Sequence, residues 1–576
     1  MENTQIAAVF DEMADLLELE QENAFRVRAY RAAAQTIRDH SQRFADLAEA
    51  GETISGVPNI GSATAEKIME IVETGTCSRL RELRAKVPHG VVELMRVPNL
   101  GPRKAMALYE HLGIHSLAEL KAACENHRVC ELPGMGEKTE EKILHGIATV
   151  ATTAGRYFYR DAAAYVETLG RYLDTIPQVT QWQVAGSFRR LRESIGDLDI
   201  LVEASDRAAV TKALLAFPAL VSVISQGSER VSVELGSSLQ VDIRFFNPES
   251  FGAALLYFTG SRAHNIAMRK RALRHKWKLN EYGLYDGDTL LAGRSEDEVF
   301  RRLQIPWIPP ELREDRGEIE AAEEGRLPQL IELGDIRGDL HVHTDRTDGV
   351  ESLEDMVRAA RAKGYSYMAI TDHSKVMAMA KGLDEESLVR HAERIRMLNA
   401  SLRNFTVLAG VEVDILQAGT LDIEPEVLAQ MDWVVASVHS YFSMSERAMT
   451  ERLLAAIESG VVHCLGHPTG RLIGKRDPMA FDVGRVFAAC AEHNVALEIN
   501  AQPERMDLPD TYCQQAAQAG VKFVISTDAH KRVDFDFMPY GVAVARRGWL
   551  EKKHVLNTLT TKQLAKHSRR GSHAFR

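Results

Sequence analysis

Seven times between residues 339 and 530 one pattern returns: an apolar run closes on a polar or ionisable residue, and a helix-forming stretch follows. The runs are DLHVHT, YMAITDH, VLAGVEVD, WVVASVHS, VVHCLGHP, VALEIN and VKFVISTDAH. Strands that alternate with helices and are apolar on both faces must be covered, because each parallel crossover lays a helix on the sheet. The pattern predicts a closed or nearly closed, distorted β/α barrel over residues 336–576, with its site at the C-terminal rim. Nine residues at or beside those strand ends form a candidate ligand set: His341, His343, Asp348, His373, Glu412, His439, His467, Asp528 and His530. Imidazoles with a few carboxylates suit Mn²⁺ or Zn²⁺ better than Mg²⁺. Nine donors exceed the needs of one ion, so two or three ions with a bridging acid are expected. The loop GHPTGRLIGKRDP adds Arg471, Lys475 and Arg476 as candidate holders of a phosphate backbone.

A barrel of that size leaves more than half of the 576 residues for other domains. Within the remainder, GVPNIGSATAEKI (56–68), RVPNLGPRKAMAL (96–108) and ELPGMGEKTEEKI (131–143) share one order of residues: apolar, Pro, small, apolar, Gly, then a helix former. Gly permits a tight hairpin, and the free amides at the start of the second helix face an anion. This helix-hairpin-helix pattern grips a DNA phosphate without reading sequence, with Gly56, Gly61, Gly101, Gly134 and Gly136 as candidate contacts. The net charge of −11 argues against a uniformly basic nucleic-acid coat but leaves local patches open. Six scattered cysteines without a CxxC pair, an acidic N-terminus and no membrane-length apolar run predict a cytoplasmic protein with no membrane partner.

From residue 182 the chain reads WQVAGSFRRLRESIGDLDILVE, which predicts a strand at 181–185, a Gly186-Ser187 turn and a second strand carrying Asp197 and Asp199. Strand side chains alternate, so both carboxylates share one face while Leu198 and Ile200 take the other. Asp242 in SLQVDIRFF adds a third acid on a neighbouring strand. Three oxygen ligands on one face suit Mg²⁺, which prefers a few carboxylates plus substrate phosphates. Paired ions there clamp the oxygens of a phosphoryl transfer, with Ser187 and Arg190 on the triphosphate.

Together with YFTGSRAHNIAMRKRALRHKWKLNEYGLY (257–285), the motifs GSFRR, GDLDI and VDIRFF resemble the family X DNA polymerases, the family of DNA polymerase beta. The resemblance covers roughly residues 1–315. It implies that Asp197, Asp199 and Asp242 are catalytic metal ligands, and that Gly186, Ser187, Arg190 and Gly196 bind the triphosphate. Tyr257, Phe258 and Gly260 then form the sugar-facing turn, while Asn265 and Arg269 contact the nucleotide and template. Arg262 departs from the pattern of DNA polymerase beta, which has an acid there, so the resemblance assigns it no role. Lys67 and Tyr30 match positions of the family's lyase site, whereas Ala63, Phe25 and Arg26 replace residues that support it.

The barrel half, about residues 336–560, resembles the polymerase and histidinol phosphatase (PHP) domain through HxH, TDH, VE, SVH, GHP and TDAH. That resemblance implies one ion at His341, His343, Glu412 and Asp528, a second at Glu412, His439 and His467, and a third at Asp348, His373 and His530. Asp348 stands where some relatives have His.

The expected fold is multidomain α+β and α/β. It comprises an N-terminal helical DNA-binding domain (1–85), a second helix-hairpin-helix domain (86–150), a nucleotidyltransferase palm (151–247), a nucleotide-selecting thumb (248–315), a helical linker (316–335) and a PHP phosphoesterase (336–576). The expected function is filling of short gaps in base-excision or end repair, with dNTPs and gapped or primer-template DNA as partners, by a monomeric enzyme. The barrel would add a 3′-5′ exonuclease, extending to abasic-site cleavage or 3′-phosphate removal. The alternatives are a polymerase with a structural barrel and a phosphatase with an inactive palm.

Overall fold

The protein is described by a computed structural model, apart from residues 1–2, 20–23, 40–43, 50–53, 55–56, 58–59, 87–90, 92–93, 96, 98–99, 154–155, 237–238, 378–380 and 568–576. It divides into two compact units, residues 1–154 with 474–476 and residues 155–473 with 477–576. All six cysteines are free, and among the described residues no helix is long and apolar enough to cross a membrane.

The first unit is helical. Helix Asn3–Leu19 buries Ile6, Phe10, Met13 and Leu17, the three-to-four-residue spacing of an amphipathic stripe. One apolar core runs from Ile6 to Ile147, so segments 1–85 and 86–150, expected as separate domains, share it. The three hairpins repeat atom for atom: Val57, Val97 and Leu132 donate to the carbonyls of Ile54, Leu94 and Val129, and Ile60, Leu100 and Met135 donate to those of Val57, Val97 and Leu132. The apolar residue before each final Gly is buried, which aligns the following helices Ser62–Thr74, Pro102–Leu112 and Glu137–Thr153.

In the second unit, helix Tyr159–Asp174 leads into a five-stranded mixed sheet. Its order is Val179–Val184, Asp197–Ala204, Leu239–Phe245, Arg230–Leu235 and Leu220–Gln226. The Asp197 and Asp242 strands pair in parallel at the sheet centre, Asp199 opposite Asp242. Gly186-Ser187, expected as a turn, opens the short helix Gly186–Arg189. Helices Phe251–Thr259 and Arg262–Arg274, a small antiparallel sheet (278–292) and helix Glu296–Arg302 follow.

The acidic stretch 316–335, expected as a helical linker, is α-helical only over Glu318–Glu323, and Ile319, Ala322 and Leu330 pack into the core around Phe300. Glu318, fully buried, accepts the amides of Asp315 and Arg316 and meets His264 Nδ1 at 2.7 Å, so its charge is satisfied indoors.

All seven expected strands form one parallel sheet in chain order: Gly338–Val342, Tyr367–Ile370, Thr406–Asp414, Trp433–Ser437, Cys464–Leu465, Ala496–Asn500 and Phe523–Ser526. The seam between first and last strands is closed by a Val342–Ala529 bridge and by the His343 amide donating to Ala529 O at 2.8 Å. Buried Asp339 reinforces it, accepting the Thr527 hydroxyl at 2.5 Å and amide at 3.2 Å.

Candidate active sites

Asp197 and Asp199 project from one face of strand Asp197–Ala204 while Leu198 and Ile200 are fully buried on the other. Arg244, two residues beyond Asp242, donates to Asp242 Oδ2 at 2.8 Å and lies 3.5 Å from Asp199 Oδ1. Burial, with Asp197 and Asp242 nearby, pushes the Asp199 carboxyl up to about 6 against the pull of Arg244. A partly buried carboxylate cluster carrying that repulsion is a seat for a cation, and Arg244 offsets part of its charge.

Beside these acids lies a cleft of about 710 Å³ lined by all nine expected nucleotide-binding residues, Gly186, Ser187, Arg190, Gly196, Tyr257, Phe258, Gly260, Asn265 and Arg269. Two of the glycines are required there. Gly186 has φ +64°, and a Cβ on it would come within 3.0 Å of Asp199 Oδ2; Gly260 has φ +66°, and a Cβ would meet Arg190 Nη1 at 3.2 Å. Tyr257 and Phe258, expected in a turn, end helix Phe251–Thr259, and only Gly260 and Ser261 link it to the next helix. Asn265 Nδ2 donates to Tyr257 O at 2.6 Å, tying the two helices together. Arg262, whose identity departs from the DNA polymerase beta pattern, lines the same cleft, as do Arg156, Arg192 and Glu314, which sequence reading missed. Glu314 pairs with Arg190 across 124 residues, a separation no local pattern betrays.

At the barrel rim the ligand set converges on Glu412. Its Oε1 faces His467 Nε2 at 3.0 Å and His439 Nε2 at 3.3 Å; its Oε2 faces His373 Nδ1 at 3.0 Å, His341 Nε2 at 3.4 Å and His343 Nε2 at 3.6 Å. Donor atoms gather in three groups: His341, His343 and Asp528; His373, Glu412 and His439; and His343, Asp348, His373 and His530. His343 and His373 each stand in two of these groups.

Nε2 of His341, both ring nitrogens of His343 and Nδ1 of His373 are buried without a well-formed hydrogen bond among the described residues. Orphaned imidazoles aimed at shared carboxylates fit divalent ions. Burial works to raise the Glu412 carboxyl, but His373, His341 and His439 hold it well below the ordinary range; burial works to lower His439, but Glu412 and Asp414 push it up to about 10. His467 and Asp528 carry these side chains from left-handed backbone, φ +28° and +51°. Non-glycine residues hold such conformations only where the surroundings enforce them.

The supporting shell escapes the sequence reading. Glu498 Oε1 meets His341 Nδ1 at 2.7 Å, Asp414 meets His439 Nδ1 at 3.2 Å, and Asn500 donates to Asp528 Oδ2 at 3.0 Å. Polar residues within strands already expected to be buried were the available signal. Arg471 is corrected: its guanidinium donates to the carbonyls of Arg505 and Met506 and to Glu193, pinning the barrel to the palm rather than facing a phosphate.

In the first unit a Cβ on Gly61, Gly101, Gly134 or Gly136 would meet nothing within 4 Å. Gly61 and Gly101 have ordinary extended backbone and cap their helices, so only Gly134, at φ +79°, is a conformational necessity. The other glycines keep the surface open. Gly56 lies outside the described residues. Lys67 is on helix Ser62–Thr74, its Nζ donating to Ala63 O at 2.8 Å.

Residues 254–314 match the DNA polymerase beta thumb family, 1–77 a helix-hairpin-helix domain, 91–149 a SAM-like helix-hairpin-helix tandem and 339–502 the PHP domain. A Bacillus subtilis (strain 168) protein, DNA polymerase/3′-5′ exonuclease PolX, is 38% identical over 568 residues, covering 98% of this chain and 99% of the relative. Shorter relatives include a probable phosphatase of Aliivibrio fischeri, 27% identical over 39% of this chain and 91% of its own length. A second, from Edwardsiella ictaluri, is 30% identical over 40% of this chain and 94% of its own.

Proposed function

The chain belongs to the family of the DNA polymerase/3′-5′ exonuclease PolX, and from that premise we propose that it fills short gaps in damaged DNA with one centre and trims 3′ ends with the other. The observation carrying the polymerase reading is the assembly of all nine nucleotide-binding candidates in one cleft beside Asp197 and Asp199. Asp197, Asp199 and Asp242 would hold Mg²⁺, which supplies charge neutralisation for the triphosphate and the attacking oxygen. Gly186, Ser187, Arg190 and Gly196 bind the triphosphate tail, Tyr257 and Phe258 at the end of helix Phe251–Thr259 face the sugar with Gly260, and Asn265 and Arg269 meet the nucleotide and template. The primer 3′-oxygen attacks the α-phosphate and pyrophosphate leaves. The three hairpins grip the duplex through open backbone around Gly61, Gly101 and Gly136, holding position without sequence choice.

In the barrel, the nine rim residues would hold two or three Mn²⁺ or Zn²⁺ ions, which supply activated water for phosphoester hydrolysis. Glu412 joins the groups, and Glu498 and Asp414 orient His341 and His439. Likeness of this half to probable phosphatases supports removal of a phosphate monoester as a further activity, with a DNA 3′-phosphate as the substrate to try.

The test is a 5′-labelled primer in a short-gapped duplex with Mg²⁺ or Mn²⁺. The Asp197→Ala/Asp199→Ala pair is expected to abolish extension while shortening without dNTPs persists; Asp528→Ala is expected to do the reverse. Shortening that survives Asp528→Ala, or is lost in the palm variant, would sink the assignment of two centres.

A further inference from the structure

Arg547 belongs to the barrel, at the end of helix Met538–Arg547, yet its side chain is only 4% exposed and reaches toward the polymerase cleft. One Nη donates to the carbonyl of Arg190 at 2.7 Å and to Glu314 Oε1 at 3.0 Å. The other donates at 2.7 Å to Asp510, the first residue of barrel helix Asp510–Gln518. Glu314 also accepts Arg190 Nε at 3.1 Å, and Asp510 accepts Arg316 at 3.1 Å. With Arg192 standing 3.9 Å from Glu314, four guanidiniums surround two carboxylates. The surplus is positive, and Arg190, Arg192 and Glu314 all line the cleft.

Glu314 would by itself oppose nucleotide binding. It holds Arg190 and presents a negative charge to any triphosphate that approaches that guanidinium. Arg547 shares the same carboxylate oxygen in a water-poor interface, where charges a few ångströms apart interact strongly. Arg190 is also fixed by a hydrogen bond from Nη1 to Thr259 O, and its Nη2 makes no hydrogen bond among the described residues.

We propose that Arg547 is a positioning residue for the polymerase: by sharing Glu314 it leaves Arg190 both fixed and effectively charged, so that the barrel tunes capture of the nucleotide triphosphate. The proposal rests on reading the cleft as the nucleotide site. Its consequence is that a residue of the hydrolytic half governs substrate affinity in the synthetic half, with no movement required.

The experiment is steady-state extension by the full-length chain with dNTP titration. In Arg547→Ala, Glu314 loses a counter-charge and KM for dNTP rises about tenfold, a shift of the size expected for one unit charge at a partly buried site, while kcat changes less. Adding Glu314→Gln to Arg547→Ala removes the repelling charge and returns KM to near the wild-type value. A merely structural Arg547 predicts the opposite: two losses that add, with no rescue, and that result overturns the proposal. An unchanged KM in Arg547→Ala overturns it as well. If Arg547→Ala does not fold, Glu314→Gln alone decides: an unchanged or lower KM supports the proposal and a higher one overturns it. Wild-type extension in the same assay separates the two levels. No extension at all removes the polymerase reading, whereas extension with an unmoved KM removes only the role of Arg547.

Discussion

Glu296 is a carboxylate held by two guanidiniums: Arg313 donates at 2.6 Å and Arg189 at 2.8 Å, and the indole of Trp307 adds a third partner at 2.9 Å. Burial alone would raise its carboxyl, but Arg313 and Arg189 overcome burial and hold it far below the ordinary 4.5. The folded state thus takes up this proton at lower pH than the unfolded state. The contribution to stability is complete above about pH 4.5 and drains away as pH falls below that value. Glu296→Gln is expected to cost about 3–5 kcal/mol at pH 7, because the buried Arg313 and the half-buried Arg189 lose their counter-charge. Denaturant melts of both proteins at several pH values should show the gap narrowing below pH 4.5; a gap that stays constant with pH would contradict the ion-pair account. In the barrel, Glu498→Gln removes the charge that orients His341, and ion affinity is expected to fall about 10–100-fold. Mn²⁺ titration calorimetry reads this, with primer extension unchanged as the control. The ligands themselves are legible in the sequence because they stand at or just beyond strand ends. Glu498, in the middle of strand Ala496–Asn500, and Asp414, last of strand Thr406–Asp414, show as polar residues of buried strands, but nothing in the sequence says which imidazole each one touches. Arg547 is harder still, because its partner Glu314 is 233 residues away.

At the scale of elements, the hairpins separate stability from binding. Gly101 has φ −71°, which any residue adopts, and open space where a side chain would go. Gly101→Val is therefore expected to change unfolding free energy by no more than about 1 kcal/mol. The same side chain would stand where a phosphate backbone approaches, so affinity for gapped duplex at low salt is expected to drop several-fold. Anisotropy beside a thermal melt checks both, and an unchanged affinity would remove Gly101 from the DNA surface. The seven barrel strands and the paired Asp strands are readable from apolar runs and period-two alternation. The buried course of residues 316–335 is not, because Glu318 looks like any solvated acid until His264 is brought against it, 54 residues away in the chain.

At the scale of the molecule, two centres with different donor chemistry should answer to different ions. A chelator is expected to stop both extension and shortening. Returning Mg²⁺ alone should restore extension, and shortening should need Mn²⁺. Equal restoration of both by Mg²⁺ would deny the distinction between an all-carboxylate palm and an imidazole-rich barrel. The seam that closes the barrel has a further consequence, in time. Its first ligand strand lies against its last, so His341 and His343 cannot meet Asp528 until the final strand has been made. The palm carboxylates are complete once Asp242 has emerged, and at 5–20 residues per second the stretch from Asp242 to His530 takes the ribosome roughly fifteen seconds to a minute. A nascent or prematurely terminated chain can thus carry the carboxylates of synthesis, but never the means to cut.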